Sequence, residues 1–132
     1  MPVTVVGVGV DLVHVPSFAD QLARPGTGFL TGFLPGERRD ARSRPSDSAR
    51  HLAVRWAAKE AVIKAWSASM FGEAPVMSEH VHHLIEVVSD AWDRPSIRLH
   101  GEVAKHLDGH DAQVSLSHDG DYAIAYVVLI RR

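Results

Sequence analysis

Cysteine is absent from the sequence. This absence excludes disulfide bonds, thiolate zinc sites and cysteine nucleophiles, so the chemistry must come from oxygen and nitrogen groups. The chain also lacks an excess of charge of either sign, with 14 lysines and arginines against 16 aspartates and glutamates and a formal net charge of −2. Such a balance gives no general electrostatic attraction to nucleic acid or to a membrane surface, and we predict neither as a partner.

Long hydrophobic runs and low-complexity tracts are missing as well. No apolar run approaches the roughly 20 residues of a membrane-spanning helix. Residues 1–10 are apolar but lack the basic leader and the length of a signal peptide. We therefore expect a cytoplasmic protein. A chain of 132 residues with 45% hydrophobic content has the size and composition of one folded domain, covering residues 1–132.

The sequence does contain a strand pattern near its start, followed by helical patterns. Residues 3–10 (VTVVGVGV) are β-branched and apolar on both faces, which is typical of a buried strand that ends before Asp11. The two glycines of this segment indicate close approach of another backbone. Residues 16–24 predict a short helix. Residues 35–50 predict a turn or short helix and then a mobile loop with a solvated, arginine-rich surface.

The longest helical pattern begins at a cap, Ser46 or Ser48, and continues to about Ser69 without internal glycine or proline. The remaining patterns are two hairpins and a short helix between them: strands at 84–88 and 97–99, a helix at 101–107, and strands at 113–117 and 122–130. This order predicts an α+β domain in which the long helix packs on an antiparallel β-sheet.

Two carboxylates and a lysine are candidates for chemistry. Asp11 at a strand end and Glu60 on the long helix form the kind of oxygen-ligand pair that binds Mg²⁺. Lys64 lies one helical turn after Glu60, where it can neutralise a phosphate. The alternatives are a weak surface ion pair between Glu60 and Lys64, and a helix cap or Asx turn formed by Asp11 before Pro16. Arg55 projects more than a right angle away from Glu60 on the same helix.

Histidines supply the other candidates. His118 ends a strand pattern at residues 114–118 (VSLSH), where it can contact a phosphate or a nucleophile or simply be a satisfied strand-end histidine. His80, His82 and His83 are not accompanied by a convincingly spaced further zinc ligand. We therefore expect these three histidines on an exposed loop and strand edge, and assign them no role.

Taken together, several of these segments resemble the stand-alone holo-acyl-carrier-protein synthases, the small phosphopantetheinyl transferases. They are residues 7–11 (GVGVD), 55–61 (RWAAKEA) with 64–66 (KAW), and 114–118 (VSLSH), in the order and spacing of that family. Residues 93–95 (DRP) resemble the family's Gly-Lys/Arg-Pro turn, with Asp93 in place of the glycine. The resemblance covers nearly the whole chain and implies the 4'-phosphopantetheinyl transferase fold.

The resemblance also implies a role for individual residues. Asp11 and Glu60 match the family's Mg²⁺ ligands, and Lys64 matches its catalytic, phosphate-contacting lysine. Contacts to coenzyme A are implied for Lys64 and for three further residues: Arg55, Pro95 and His118. Glu60 can also orient a water that takes the serine proton, and Asp11 is an alternative base.

The implied reaction is the Mg²⁺-dependent transfer of 4'-phosphopantetheine from coenzyme A to a serine of apo-acyl carrier protein, or of a carrier domain in a fatty-acid synthase. Adenosine 3',5'-bisphosphate leaves, and the product serves fatty acid biosynthesis. The implied assembly is a homotrimer with active sites between subunits. A non-catalytic module that binds coenzyme A or a nucleotide is the alternative function. Residues 67–83 depart from the Gly-Thr-Gly loop of many family members.

Overall fold

The computed structural model describes residues 2–78 and 80–132. Its helices and strands are, in chain order, β1 (Thr4–His14), α1 (Val15–Ala23), α2 (Pro35–Arg42), α3 (Ser48–Ser69), β2 (Ile85–Ser89), β3 (Pro95–Leu99), α4 (Gly101–His106), β4 (His110–Asp119) and β5 (Tyr122–Arg131). Strands β1, β5 and β4 form an antiparallel sheet in that order, and β2 and β3 form a separate antiparallel hairpin. Single 3₁₀ turns lie at Phe29–Gly32 and His82–Leu84.

Helix α3 lies directly against the backbone of β1. A Cβ atom added to Gly7 would collide with the carbonyl oxygen of Ala65, and one added to Gly9 would collide with that of Ala61. Both alanines are fully buried. The two backbones can touch because the glycines of the strand have no side chain and the alanines of the helix have only a methyl group. This is the close approach that the glycine pattern predicts.

The hydrophobic core consists of two buried clusters, and α3 contributes to both. The larger cluster packs the C-terminal two thirds of α3 against β2, α4 and β5. The smaller cluster joins the first part of α3 to α1, α2 and the Phe29–Gly32 turn. The predicted architecture, a long helix on an antiparallel sheet, is confirmed. Within the described ranges, no helix combines the length and the apolar character needed to cross a membrane.

Strand β1 differs from its prediction in length and burial. It continues past Asp11 to His14, so Asp11 lies inside the strand rather than after it. Apolar side chains along one face of the sheet are largely exposed: Val3, Val5, Val8, Val10, Leu12, Tyr122, Ile124 and Tyr126. A β-bulge between Val5 and Gly7 shifts by one residue the alternation of side chains between the two faces of the sheet. The exposed valines before the bulge and those after it therefore point to the same face. The prediction of a strand buried on both faces is therefore wrong for the isolated chain.

Two expectations for residues 35–50 also need correction. Helix α2 is not simply solvated, because Glu37 is only 1% exposed and Ala41 is buried. The residue that precedes α3 is Asp47, not Ser46 or Ser48, and it makes no side-chain cap hydrogen bond. The other predicted elements, including both hairpins and the helix at Gly101–His106, are confirmed within a few residues at each end.

Candidate active site

Asp11 and Lys64 meet where β1 crosses α3. Lys64 Nζ donates hydrogen bonds to Asp11 Oδ1 at 2.9 Å and to the carbonyl oxygen of Val10 at 3.0 Å. The Asp11 side chain is 16% exposed and that of Lys64 is 53% exposed. Lys64 therefore pairs with Asp11 rather than with Glu60, and the interpretation as an ion pair within one helix is wrong. Asp11 is neither a helix cap nor part of an Asx turn, since α1 begins at Val15 after His14.

Glu60 shares a cavity of about 270 Å³ with Asp11. Its Oε1 accepts a hydrogen bond from His82 Nε2 at 3.0 Å, and this bond is the main reason that the pKa of Glu60 is lowered. Burial raises the pKa of Asp11; the hydrogen bond and the charge of Lys64 oppose that shift, whereas the negative charge of Glu60 adds to it. The two carboxylates are thus close enough to interact electrostatically.

This pair of carboxylates fits a hard divalent cation. The residues that the structure describes contain no group of three or more histidine or acidic side chains suited to a metal ion. Mg²⁺ does not need such a cage, because it retains several waters and is commonly bound through one or two carboxylates plus substrate phosphate oxygens. Asp11 and Glu60 supply oxygen ligands only, and their mutual repulsion would be relieved by a cation.

Arg55, Pro95 and His118 lie together at a second cavity, of about 370 Å³. The Arg55 guanidinium is buried and donates to the carbonyl oxygen of His51 at 3.3 Å and to Ser89 Oγ at 3.4 Å. Burial lowers the pKa of Arg55, and burial together with the charge of Arg55 lowers the pKa of His51 to about 4. Within residues 2–78 and 80–132, Arg55 Nε and His51 Nε2 are buried without a hydrogen-bond partner.

The conformation of the turn before Pro95 explains how Asp93 can replace the glycine of the family's Gly-Lys/Arg-Pro turn. Asp93 has φ 61°, in the left-handed region that glycine adopts without strain. Asp93 Oδ1 also pairs with Arg44 at 3.4 Å on the wall of the second cavity. Aspartate is among the residues that tolerate this conformation best, so the turn keeps its shape without the glycine.

The predicted site residues therefore form two groups on different sides of α3. Asp11, Glu60 and Lys64 lie at the β1 side, whereas Arg55 opens into the second cavity with Pro95 and His118. Glu60 also borders a third cavity, of about 730 Å³, with Trp56 and His82. Arg55 lines the second cavity, whereas Glu60 lines the first and the third.

Comparison with known proteins shows the family to which the chain belongs. The model of the 4'-phosphopantetheinyl transferase superfamily matches residues 7–127, which include every predicted site residue. The chain belongs to that superfamily. It is 58% identical to a holo-[acyl-carrier-protein] synthase of Mycobacterium ulcerans over 125 residues, covering 95% of this chain and 96% of that protein.

Solved structures of the superfamily have the same fold over the whole chain. An acyl carrier protein synthase of Mycobacterium tuberculosis is 50% identical, with a TM-score of 0.82, and the match covers 98% of this chain and 100% of that one. An ACPS–CoA complex of Chronobacterium ammoniagenes is 44% identical, with a TM-score of 0.89, and the match covers 100% of this chain and 99% of that one. The predicted 4'-phosphopantetheinyl transferase fold is confirmed.

Sequence reasoning missed three polar residues around the candidate active site. His82 was expected to be exposed and without a role, but its side chain is 13% exposed and bonded to Glu60. Glu37 and Lys59 form a fully buried ion pair at 2.8 Å. One signal could have revealed Lys59, because it shares a helix face with the apolar Val62. No comparable signal exists for His82.

Proposed function

We propose that this protein is an enzyme that transfers the 4'-phosphopantetheine group of coenzyme A to a serine of an apo-acyl carrier protein. The observation that carries the proposal is the meeting of Asp11, Glu60 and Lys64 at the β1–α3 crossing, in a chain 58% identical to a holo-[acyl-carrier-protein] synthase. We treat residues 1–132 as one domain, because α3 belongs to both buried clusters.

The reaction requires the serine Oγ to attack the pantetheine-linked phosphorus. The new oxygen–phosphorus bond forms as the bond to the bridging oxygen breaks, and adenosine 3',5'-bisphosphate leaves with that electron pair. Asp11 and Glu60 would hold Mg²⁺, which supplies charge stabilisation on the phosphate oxygens. Lys64 is half exposed and can donate to a phosphate oxygen as well as to Asp11. Either carboxylate, directly or through water, can accept the serine proton.

Coenzyme A would also contact the second cavity. The buried Arg55 guanidinium bonds only neutral oxygens, and its Nε has no partner in the part of the chain that the structure describes. Nearby carboxylates act on the guanidinium through their charges, but none of the described ones is hydrogen-bonded to it, so an anion that bonds Arg55 directly would stabilise it further. A phosphate of the nucleotide, with His118 beside it, supplies that anion. Proteins similar to this chain have been solved with coenzyme A, which supports coenzyme A as the substrate.

Mass spectrometry of an apo-acyl carrier protein tests the function directly. The carrier is incubated with the enzyme, coenzyme A and Mg²⁺, and the expected result is a gain of one phosphopantetheine on the acceptor serine. Omission of Mg²⁺, or replacement of the acceptor serine by alanine, should remove the gain. Coenzyme A binding with no modified carrier would instead support a non-catalytic binding module.

A complete site would draw on two chains. Arg55 and Glu60 lie on different sides of α3 and border different cavities, so the simplest geometry in which coenzyme A contacts both is a cleft between two chains. The exposed apolar face of the β1-β5-β4 sheet is the kind of surface that marks a protein interface. We infer a homotrimer whose clefts combine Asp11, Glu60 and Lys64 of one chain with Arg55 and His118 of its neighbour, closed by cyclic symmetry.

Complementation between inactive variants tests the shared cleft. Glu60→Gln and Arg55→Ala chains are mixed in equal amounts under subunit exchange, and transfer is measured. About a quarter of the clefts should regain activity, because each half is intact in one half of the chains. The matched control mixes Glu60→Gln with Asp11→Asn, which damage the same half and should give no recovery. Absence of recovery in exchanged mixtures of the first pair would contradict the shared cleft.

Lys64→Ala should separate phosphate binding from fold stability. We expect kcat/KM for coenzyme A to fall about 10- to 100-fold, because a charge-assisted hydrogen bond to phosphate is lost. The free energy of unfolding should fall by less than about 1 kcal/mol, because the side chain is 53% exposed. Lys105→Ala, which removes the exposed Lys105–Glu102 pair at 3.1 Å, is the control and should leave kinetics unchanged. A large stability loss with normal kinetics would indicate a purely structural role for Lys64.

A further inference from the structure

His82 is held rigidly beside the proposed metal site. Its ring stacks on the indole of Trp56 with a centroid distance of 4.1 Å and an interplanar angle of 7°. Trp56 is in turn packed among three phenylalanines, with centroid distances of 4.8 Å to Phe29, 5.8 Å to Phe33 and 6.3 Å to Phe18. The plane of the imidazole is therefore fixed by the aromatic cluster beneath it.

The backbone of His82 is held by the buried Lys59–Glu37 ion pair. Lys59 Nζ donates to the carbonyl oxygen of His82 at 3.1 Å and also to that of Ile85. Glu37 Oε1 accepts from Lys59 Nζ at 2.8 Å and from the backbone nitrogen of Leu34, whereas Glu37 Oε2 accepts from the backbone nitrogen of Val87. Because Lys59 and Glu37 are fully buried, this anchor does not exchange with water.

The fixed ring directs one hydrogen bond at Glu60. A carboxylate only accepts, so His82 Nε2 carries the hydrogen and donates it to Glu60 Oε1 at 3.0 Å. The Glu60 side chain is 32% exposed and would otherwise sample several rotamers. We propose that His82 is a positioning residue that orients the Glu60 carboxylate toward the divalent cation. This inference rests on the proposed function, in which Glu60 is a metal ligand.

Partners that orient metal ligands affect metal affinity strongly, which distinguishes this role from ordinary packing. Loss of such a partner typically costs about 10- to 100-fold in metal affinity or activity. A second histidine–glutamate pair, away from the proposed metal site, serves as a control for the His82–Glu60 pair. His100 Nε2 and Glu86 Oε1 lie 2.9 Å apart, and their side chains are 38% and 16% exposed. Removal of the His100 bond should cost stability without changing the affinity for the cation.

The test compares His82→Gln, His82→Asn, His82→Phe and His100→Phe. Gln places an amide nitrogen near the position of imidazole Nε2, Asn is too short to do so, and Phe keeps the stack on Trp56 but has no donor. The dissociation constant of Mn²⁺ in the presence of coenzyme A is measured by electron paramagnetic resonance, with thermal unfolding alongside. We expect His82→Asn and His82→Phe to bind Mn²⁺ about 10- to 100-fold more weakly, and His82→Gln and His100→Phe to remain within a few-fold of the wild type.

Two results would overturn the inference: native Mn²⁺ affinity in His82→Asn, or equal losses in His82→Asn and His82→Gln. The Asn–Gln comparison remains valid if His82→Phe does not fold, since both amides lack the ring. Glu60→Gln separates this inference from the proposed function. If Glu60→Gln binds Mn²⁺ normally, the metal site itself is wrong; if Glu60→Gln loses Mn²⁺ and His82→Asn does not, only the role of His82 is wrong.

Discussion

Glu60→Gln is expected to lower transfer to apo-acyl carrier protein by at least about 10²-fold at saturating Mg²⁺. Glutamine keeps the length and shape of the side chain and can still accept the hydrogen bond from His82 at its amide oxygen. It removes the negative charge that a hard cation requires next to Asp11. Initial rates of carrier modification, measured by mass spectrometry across a Mg²⁺ titration, provide the test.

The fold should survive this change, since Glu60 is partly exposed and lies on the surface of α3. Glu102→Gln is the control of identical chemistry: Glu102 lies in α4, its side chain is 60% exposed, and its partner is Lys105. We expect wild-type rates for Glu102→Gln and an unchanged unfolding temperature for both variants. Wild-type turnover by Glu60→Gln would reject Glu60 as a metal ligand.

Lys59→Met is expected to lower the free energy of unfolding by about 3–5 kcal/mol. Methionine fills a similar volume, but it leaves the Glu37 carboxylate fully buried without its cation. It also leaves the carbonyl oxygens of His82 and Ile85 without the donor that Lys59 supplies. Urea denaturation monitored by tryptophan fluorescence measures the loss.

Two further variants make the cause of this loss identifiable. Adding Glu37→Gln to Lys59→Met removes the stranded charge, and the double variant should recover part of the stability lost by Lys59→Met alone. Lys105→Met, at an exposed pair, should change the free energy of unfolding by less than about 1 kcal/mol. If Lys59→Met costs no more than Lys105→Met, the buried pair does not support the fold.

Local patterns predicted most of the fold correctly. The absence of glycine and proline between residues 48 and 69 indicated α3, and the polar turns at residues 90–95 and 118–121 indicated the two hairpins. These elements depend on neighbours in sequence, so a single sequence contains their signal. The glycines at residues 7 and 9 correctly indicated a close backbone contact, although the sequence does not name the helix that makes it.

The features that were missed depend on pairing between distant residues. Lys59 is separated from Glu37 by 22 positions, and His82 is separated from Glu60 by 22 as well. Nothing in the local pattern of residues 67–83 shows that a histidine there turns inward. The exposure of one face of β1 was missed for a different reason. Apolar residues on both faces of a strand indicate that both faces are covered, but they do not indicate whether the covering surface belongs to the same chain.

The direct contact between the backbones of β1 and α3 makes the spacing beneath the candidate active site independent of side-chain size in the core. Asp11 follows Gly9 by two residues, and Glu60 directly precedes Ala61, whose carbonyl oxygen lies against Gly9. No side chain intervenes at this contact, so changes of side-chain volume elsewhere in the core do not set the distance between the two backbone segments that carry Asp11 and Glu60. Apolar residues around the helix can therefore be exchanged for others of different volume while the backbone spacing beneath the proposed cation site is retained. Substitutions that add even one methyl group at residues 7 or 9 are the exception.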